Sequence, residues 1–335
     1  MKRLVSVCIS ILVAAVLIVL SPQDVPAGGR TFEVVYTVEA RGIPQGSRKV
    51  RVWVPYPPDD RTQTILDMEI DSPAPFRVGY DKRWGNRMIY FEPDPAGGTF
   101  GFSMRLVVER RELSADLDRD VGIEAVDRDA FSLYLEPSRL AVHDARVKSL
   151  SAKAAGGRKG IIARARAVYD FVLRNMDYDK NVPGWGRGDV RRVCVAIAGG
   201  GKGTGNCTDF HSFFTSLLQI QSIPVVFEMG IPIGAGSAEA RGGYHCWASF
   251  FLPGSGWVPV DISEAEKNPS MRDYYFGSID ADRLLFSRGR DIVLEPPQSA
   301  GPLNYFGPDP YIEVDGRPFS GFIRRVRYRD LSVAP

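Results

Sequence analysis

Residues 206–263 combine a helix pattern with a hairpin pattern, and this combination constrains the fold more than any other part of the chain. After Asn206, apolar side chains recur at the spacing of one helical face, and the run ends before Pro224. That face consists of Phe210, Phe213, Phe214, Leu217 and Leu218. Residues 243–251 and 257–263 then alternate like two strands around turn-forming residues. A helix followed by an antiparallel hairpin predicts an α+β domain.

The segment 30–113 has a different pattern. Apolar and polar residues alternate in several short runs, and Pro- and Gly-rich turns separate the runs. This pattern predicts an antiparallel β-sandwich. Residues 114–157 are predicted to form a helical connector, residues 158–295 the α+β domain, and residues 296–335 a C-terminal β extension.

The first 27 residues have the pattern of a signal peptide. Lys2 and Arg3 precede the uncharged apolar run 4–20, and small residues precede a cleavage site after Ala27. The alternative is an uncleaved membrane anchor, because the run is only just long enough to span a bilayer. We therefore expect a periplasmic or secreted protein whose mature chain has no membrane span.

Composition excludes several classes of function. The net charge of +2 gives no electrostatic reason to expect nucleic-acid binding, and the low numbers of cysteine and histidine exclude a disulfide-dense scaffold and a histidine-rich metal store. The Gly-rich loop 198–205 does not match a phosphate loop, because Gly203 follows Lys202 where Ser or Thr is required. No cofactor is expected.

Cys207 is the candidate nucleophile. Asn206 is a suitable N-cap, so Cys207 would occupy the first position of the predicted helix. The positive end of a helix dipole favours the thiolate, which is the nucleophilic form of cysteine. The alternative is that Cys207 is an inert, buried apolar residue, which is the usual state of a free cysteine.

The hairpin supplies a candidate base and a carboxylate. A three-residue loop at 253–255 would place Trp247 opposite Asp261, and His245 would then lie diagonally from Asp261 on the same face. A loop one residue shorter or longer would place His245 and Asp261 on opposite faces. In the first register, Cys207 attacks a carbonyl, His245 transfers the proton, and Asp261 orients the imidazole. The backbone N–H of Cys207 would supply one oxyanion donor.

Other residues near Cys207 leave alternatives open. His211 lies one helical turn after Cys207, and it is either the base or, as we favour, a structural hydrogen-bond partner. Cys246 is expected to point away from His245 and the active face. Cys194 and Cys246 either form a disulfide or remain two buried free thiols, and the sequence leaves both alternatives open. A zinc site made of Cys207, His211 and Cys246 is disfavoured because the chain lacks a Cys-x-x-Cys pair, so no metal is expected.

Three segments of the chain resemble the motifs of the transglutaminase-like superfamily. They are Gly205-Asn206-Cys207-Thr208-Asp209-Phe210-His211, Gly243-Tyr244-His245-Cys246-Trp247-Ala248 and Gly256-Trp257-Val258-Pro259-Val260-Asp261. The resemblance implies a papain-like fold with Cys207, His245 and Asp261 as the triad. It extends over residues 168–291, where the stretches 275–283 and 287–291 are similar to bacterial exported members. Trp185 is the candidate for a second oxyanion donor, because relatives use a Gln or Trp upstream of the cysteine.

The predicted function is acyl transfer from an amide through a thioester. We expect hydrolysis of a protein or peptide substrate, because water is abundant outside the cell and no acceptor lysine can be identified. Crosslinking by transfer to an amine is the first alternative. A binding or scaffold protein with a residual triad is the second.

Overall fold

A computed structural model describes residues 29–240 and 243–331. The predicted signal peptide, residues 1–27, lies outside the described residues. The strands are β1 (Gly29–Arg41), β2 (Val50–Tyr56), β3 (Gln63–Asp71), β4 (Phe76–Tyr80), β5 (Arg87–Phe91), β6 (Thr99–Arg111), β7 (Leu113–Ser114), β8 (Met176–Tyr178), β9 (Gly203–Gly205), β10 (Val225–Pro232), β11 (Ser237–Glu239), β12 (His245–Leu252), β13 (Gly256–Val260), β14 (Ser278–Ile279), β15 (Arg283–Arg288), β16 (Tyr311–Val314), β17 (Arg317–Pro318) and β18 (Phe322–Asp330). The α-helices are α1 (Ala145–Ala155), α2 (Ile161–Asn175), α3 (Val190–Ala198), α4 (Cys207–Ile220) and α5 (Ile262–Lys267).

Two five-stranded antiparallel sheets enclose one apolar core. Their strand orders are β11-β18-β1-β6-β3 and β17-β16-β2-β5-β4. The alternation read in the sequence produces this core, since Phe32, Val34 and Tyr36 of β1 point inward while their neighbours stay partly exposed. The two sheets therefore pack as a sandwich.

The two ends of the chain share this sandwich. Strand β18 pairs with β1, and β16 pairs with β2. The sequence pattern separates residues 30–113 from 296–335 as a domain and an extension, but the strands of 30–113 and of 311–330 form one sandwich. Ile231, Leu284 and Phe286 of the neighbouring sheet also enter its core.

The second part is built around α4 and the sheet β13-β12-β10-β15. The predicted apolar face of α4 is completely buried among α1, α2, α3 and the sheet. Each buried Phe of this face stabilises the fold by about 1.5–3 kcal/mol. The polar face is buried as well, including Asp209, His211 and Ser212. This central helix therefore holds polar side chains in an interior where each one needs a partner.

The β12–β13 hairpin has the three-residue loop on which the predicted triad depends. Leu252 pairs with Gly256 and Ala248 with Val260, so the predicted register is confirmed. The expected strand 257–263 is too long, however, because β13 ends at Val260. The Asp261 side chain accepts a hydrogen bond from the N–H of Glu264 and begins α5 as its N-cap. Within residues 29–240 and 243–331, no helix is long and apolar enough to cross a membrane.

Candidate active site

Cys207 is the first residue of α4. The Asn206 side chain caps the helix by accepting the N–H of Thr208 at 3.0 Å, and the Asp209 carboxylate accepts the N–H of Asn206 at 3.0 Å. This reciprocal capping fixes the backbone on both sides of the thiol. The N–H of Cys207 has no hydrogen-bond acceptor within the described part of the chain, which leaves it available to an oxyanion.

His245 and Asp261 are in direct contact. His245 Nε2 lies 2.6 Å from Asp261 Oδ2, and both residues are buried. The other ring nitrogen, Nδ1, is the one left for the Cys207 thiol, which lies close enough to His245 to raise its pKa. The structure thus brings the three predicted residues together in the order thiol, imidazole, carboxylate.

Asp261 is held by more than His245. Its Oδ2 atom accepts a hydrogen bond from Arg283 at 2.8 Å, and its Oδ1 atom accepts the hydroxyl of Ser263 at 3.1 Å. Burial raises the pKa of Asp261, but the positive charges of His245 and Arg283 lower it more, and it ends well below the ordinary value. The carboxylate is therefore ionised and fixed in orientation.

The pKa of the Cys207 thiol is lowered, whereas the pKa of the His245 imidazole is raised. Burial raises the pKa of the Cys207 thiol, but hydrogen bonds with Cys246 and His245 and the charge of His245 lower it more, to well below the ordinary value. Burial alone would lower the pKa of His245. Asp261 and Cys207 raise it by more, so the pKa of His245 is about 10. At neutral pH the favoured state is a thiolate beside an imidazolium.

His211 is a structural hydrogen-bond partner, which agrees with the interpretation favoured above. Its Nε2 atom accepts the N–H of Ile262 at 3.0 Å, so Nδ1 must carry the proton, and it donates to the carbonyl oxygen of Cys207 at 2.8 Å. Burial lowers the pKa of His211, which keeps the ring neutral. Both ring nitrogens are occupied, so His211 has no free lone pair for zinc, and this argues against the Cys207, His211 and Cys246 set.

Cys246 lies closer to the nucleophile than we expected. Strand alternation predicted that it would point away from the active face, but its side chain packs beside Cys207 and its thiol donates a hydrogen bond to Thr208 Oγ1 at 3.7 Å. The prediction was wrong because the start of α4 lies on the face of β12 that Cys246 occupies. His245 contacts the same thiol from the first residue of the strand. Burial and the neighbouring Cys207 raise the pKa of Cys246 well above its ordinary value, so it remains a protonated thiol.

The Cys194–Cys246 disulfide is not formed. All three cysteines within the described ranges are free and buried. Cys194 lies on α3 in the core around α4, whereas Cys246 belongs to a separate cluster with Cys207. The alternative of two buried thiols is the one that the structure contains.

The loop 184–188 is tied to α4 by Asp209, a residue that our sequence reasoning did not single out. The Asp209 carboxylate accepts the N–H groups of Gly186 at 2.6 Å and Gly188 at 3.1 Å, and it pairs with Arg192 at 3.1 Å. Trp185 stands in this loop with 39% of its surface exposed. Its role as an oxyanion donor stays a prediction.

Two further residues of the site were missed. Arg283 is buried and pairs with both Asp261 and Asp280. The Tyr244 hydroxyl accepts hydrogen bonds from Asn206 at 2.8 Å and Thr208 at 3.1 Å. Both lie inside stretches that carry the family resemblance, which was the available signal.

One group of donors could hold a metal ion. His245 Nε2, an Asp261 oxygen and a Glu264 oxygen lie within 4.8 Å of one another. The hydrogen bond between His245 and Asp261 and the positive charge of Arg283 on the same carboxylate oxygen both disfavour a cation there.

Known proteins resemble this chain in sequence and in fold. The sequence model of the Transglutaminase-like superfamily matches residues 148–262. An uncharacterized protein of Haemophilus influenzae is 26% identical over 84% of this chain and 85% of its own length.

Solved structures give a similar result. A structure from Cytophaga hutchinsonii, described as that of a candidate cysteine protease, matches with a TM-score of 0.61 and 14% identity over 91% of this chain and 92% of its own. The periplasmic domain of TgpA from Pseudomonas aeruginosa matches with a TM-score of 0.35 and 14% identity, over 73% of this chain and 91% of that domain. The predicted α+β fold class is confirmed, and residues 148–262 have the sequence pattern of the transglutaminase-like superfamily.

Proposed function

We propose that the protein is a thiol acyl-transfer enzyme that attacks amide carbonyls through Cys207, His245 and Asp261. The observation that carries this proposal is the buried group in which the Cys207 thiol lies beside His245 and His245 Nε2 lies 2.6 Å from Asp261 Oδ2. The superfamily match and the fold shared with a candidate cysteine protease support a cysteine enzyme.

The reaction follows from the charges of the three groups. The Cys207 thiolate attacks the carbonyl carbon, and the carbonyl oxygen becomes an oxyanion that the Cys207 N–H can bind. The His245 imidazolium gives its proton to the leaving nitrogen as the C–N bond breaks, and a thioester remains. Water then attacks the thioester while neutral His245 takes the proton of that water. Release of the acid restores the thiolate and the imidazolium.

We infer that the acceptor is water and that the substrate is a protein or peptide outside the cytoplasm. The apolar run at residues 4–20 and the small residues before the predicted cleavage site support export. Transfer to a primary amine would use the same thioester and is therefore an outcome that the experiment must distinguish.

The test uses p-nitrophenyl acetate as an acyl donor and mass spectrometry to locate the acetyl group. We expect nitrophenolate release with acetyl-Cys207 as the intermediate, and loss of both in Cys207→Ala. Cys194→Ala is the matched control, because Cys194 is also buried but lies in another core cluster. Absence of acylation in the unaltered protein would favour the scaffold interpretation.

A second step decides the acceptor. A peptide mixture is incubated with and without a labelled primary amine. New carboxyl termini in both samples would support hydrolysis, whereas label incorporation in place of new termini would show transfer.

A further inference from the structure

A cavity of about 370 Å³ lies on the other face of the sheet from α4. Trp247 and Ser249 of β12 line it, while their neighbours Ala248 and Phe250 pack into the core around α4. Cys207, His245 and Asp261 are not among its lining residues. The exposed Arg61 and the half-buried Trp84, which are also lining residues, leave it open to solvent. Its volume is within the range of small-molecule sites.

The cavity carries more positive than negative charge. Three arginines, Arg61, Arg110 and Arg288, line it together with two acids, Asp60 and Glu228. Buried charges normally occur in matched pairs, because removing an ion from water is costly. Arg288 pairs with both acids, so Arg61 and Arg110 each lack a carboxylate of their own among the described residues.

Both acids already accept hydrogen bonds from other residues of the protein. Glu228 accepts Arg288 Nε at 2.9 Å on one oxygen and the Ser249 hydroxyl at 2.8 Å on the other. Asp60 accepts the N–H of Thr62 at 2.7 Å and its hydroxyl at 2.8 Å, and its second oxygen pairs with Arg288. Neither acid is within hydrogen-bond distance of Arg110.

Of these two arginines, Arg61 is exposed to solvent and Arg110 is buried. It is 1% exposed, its Nε has no hydrogen-bond partner among the described residues, and its one hydrogen bond runs from Nη1 to Gln63 at 3.5 Å. It occupies the inward end of β6, where Leu106 and Val108 precede it on the same face. A guanidinium has five N–H donors, and most of those on Arg110 are unused.

Aromatic and aliphatic side chains make up most of the remaining lining. Trp84, Tyr134, Trp247 and Trp257 surround the polar groups, and the rings of Tyr134 and Trp257 lie 4.7 Å apart. An apolar wall with a few convergent polar groups is typical of a small-molecule site. The planar fork of an arginine matches a carboxylate.

We propose that this cavity binds a small carboxylate with an aromatic or apolar body, with Arg110 holding the carboxylate and the tryptophans holding the body. The site is separate from the proposed thiol chemistry, so binding does not depend on Cys207.

Tryptophan fluorescence reports on binding directly, because three of the five tryptophans line the cavity. The probes are phenylacetate and its neutral isostere phenylacetamide. We expect a saturable change with phenylacetate and an affinity at least about tenfold weaker for the amide, since a hydrogen bond to a charged group is worth about 1.5–3 kcal/mol. Equal affinity for both probes, or no saturable change, would overturn the proposal.

Variants test whether the probe binds in this cavity. Arg110→Met should weaken phenylacetate binding at least about tenfold. Arg105→Met is the matched control, since Arg105 lies on the same strand but pairs with Glu69 outside the cavity, and its binding should match the unaltered protein. Should Arg110→Met fail to fold, Arg61→Met at the cavity mouth replaces it and should weaken binding. Unchanged affinity in the variant used would refute the assignment, as would loss of binding in Cys207→Ala.

Discussion

Replacing His211 by Phe tests whether this histidine has a structural or a catalytic role. The substitution keeps a ring of similar size in the core but removes both hydrogen bonds, to the carbonyl of Cys207 and to the N–H of Ile262. The Ile262 N–H lies beside buried Asp261 and would be left without an acceptor. Because His211 joins the start of α4 to the start of α5, the loss should reduce stability.

The magnitude follows from the two bonds. Each net hydrogen bond contributes about 0.5–1.5 kcal/mol, and leaving a buried N–H unsatisfied adds about 1–3 kcal/mol. We therefore expect the free energy of unfolding to fall by about 2–6 kcal/mol at pH 8.

The difference should shrink in acid. The pKa of His211 is lowered in the folded protein, so the unfolded chain binds the proton more readily. The contribution of His211 is therefore fully present above the unfolded pKa of about 6.5 and declines as the pH falls below it.

Urea unfolding at several pH values measures both effects. His143→Phe is the matched control, because His143 is only half-buried and has one hydrogen bond, at 3.1 Å to Gln219, so its cost should be smaller. The reasoning would be refuted if His211→Phe kept full stability but lost the reactivity of Cys207. His211 would then be the base.

Three further predictions concern the site. Asp261→Asn removes the charge that raises the pKa of His245, and a less positive His245 stabilises the Cys207 thiolate less. The thiolate absorbance near 240 nm should therefore appear at a pH at least about one unit higher than in the unaltered protein. An unchanged titration would contradict this. Asp209→Asn should lower the free energy of unfolding in urea by about 2–4 kcal/mol, because a buried ion pair and charged hydrogen bonds are broken; a loss below about 0.5 kcal/mol would contradict it. Non-reducing mass spectrometry of the purified protein should find Cys246 as a thiol, and a bond to Cys194 would contradict the structure.

The fold was predictable where the pattern is local. The loop at 253–255 determined the hairpin register, and the apolar spacing after Cys207 determined α4. The pairing of β18 with β1 could not be predicted from the sequence. Those strands lie at opposite ends of the chain, and no local pattern identifies which strand pairs with which. The end of β13 was missed because the alternation continues through Asp261 into Ile262, and only the cap shows the boundary.

The site was predictable for a related reason. The hairpin register placed His245 beside Asp261, and the family resemblance added Cys207 to them. Arg283 and Asp209 act through contacts with strands and loops distant in sequence, which spacing does not reveal. The error on Cys246 arose because alternation assigns a residue to a face of the strand but does not say which face the start of α4 occupies.

The pH dependence of alkylation by iodoacetamide, with mass mapping, tests the central claim most directly. It is measured on the protein and on His245→Ala. We expect Cys207 to react with a midpoint well below the free-thiol pKa of about 8.5, ahead of Cys194 and Cys246, and to lose that reactivity in the variant. An inert Cys207, or one that reacts like a free thiol in both proteins, would contradict the account.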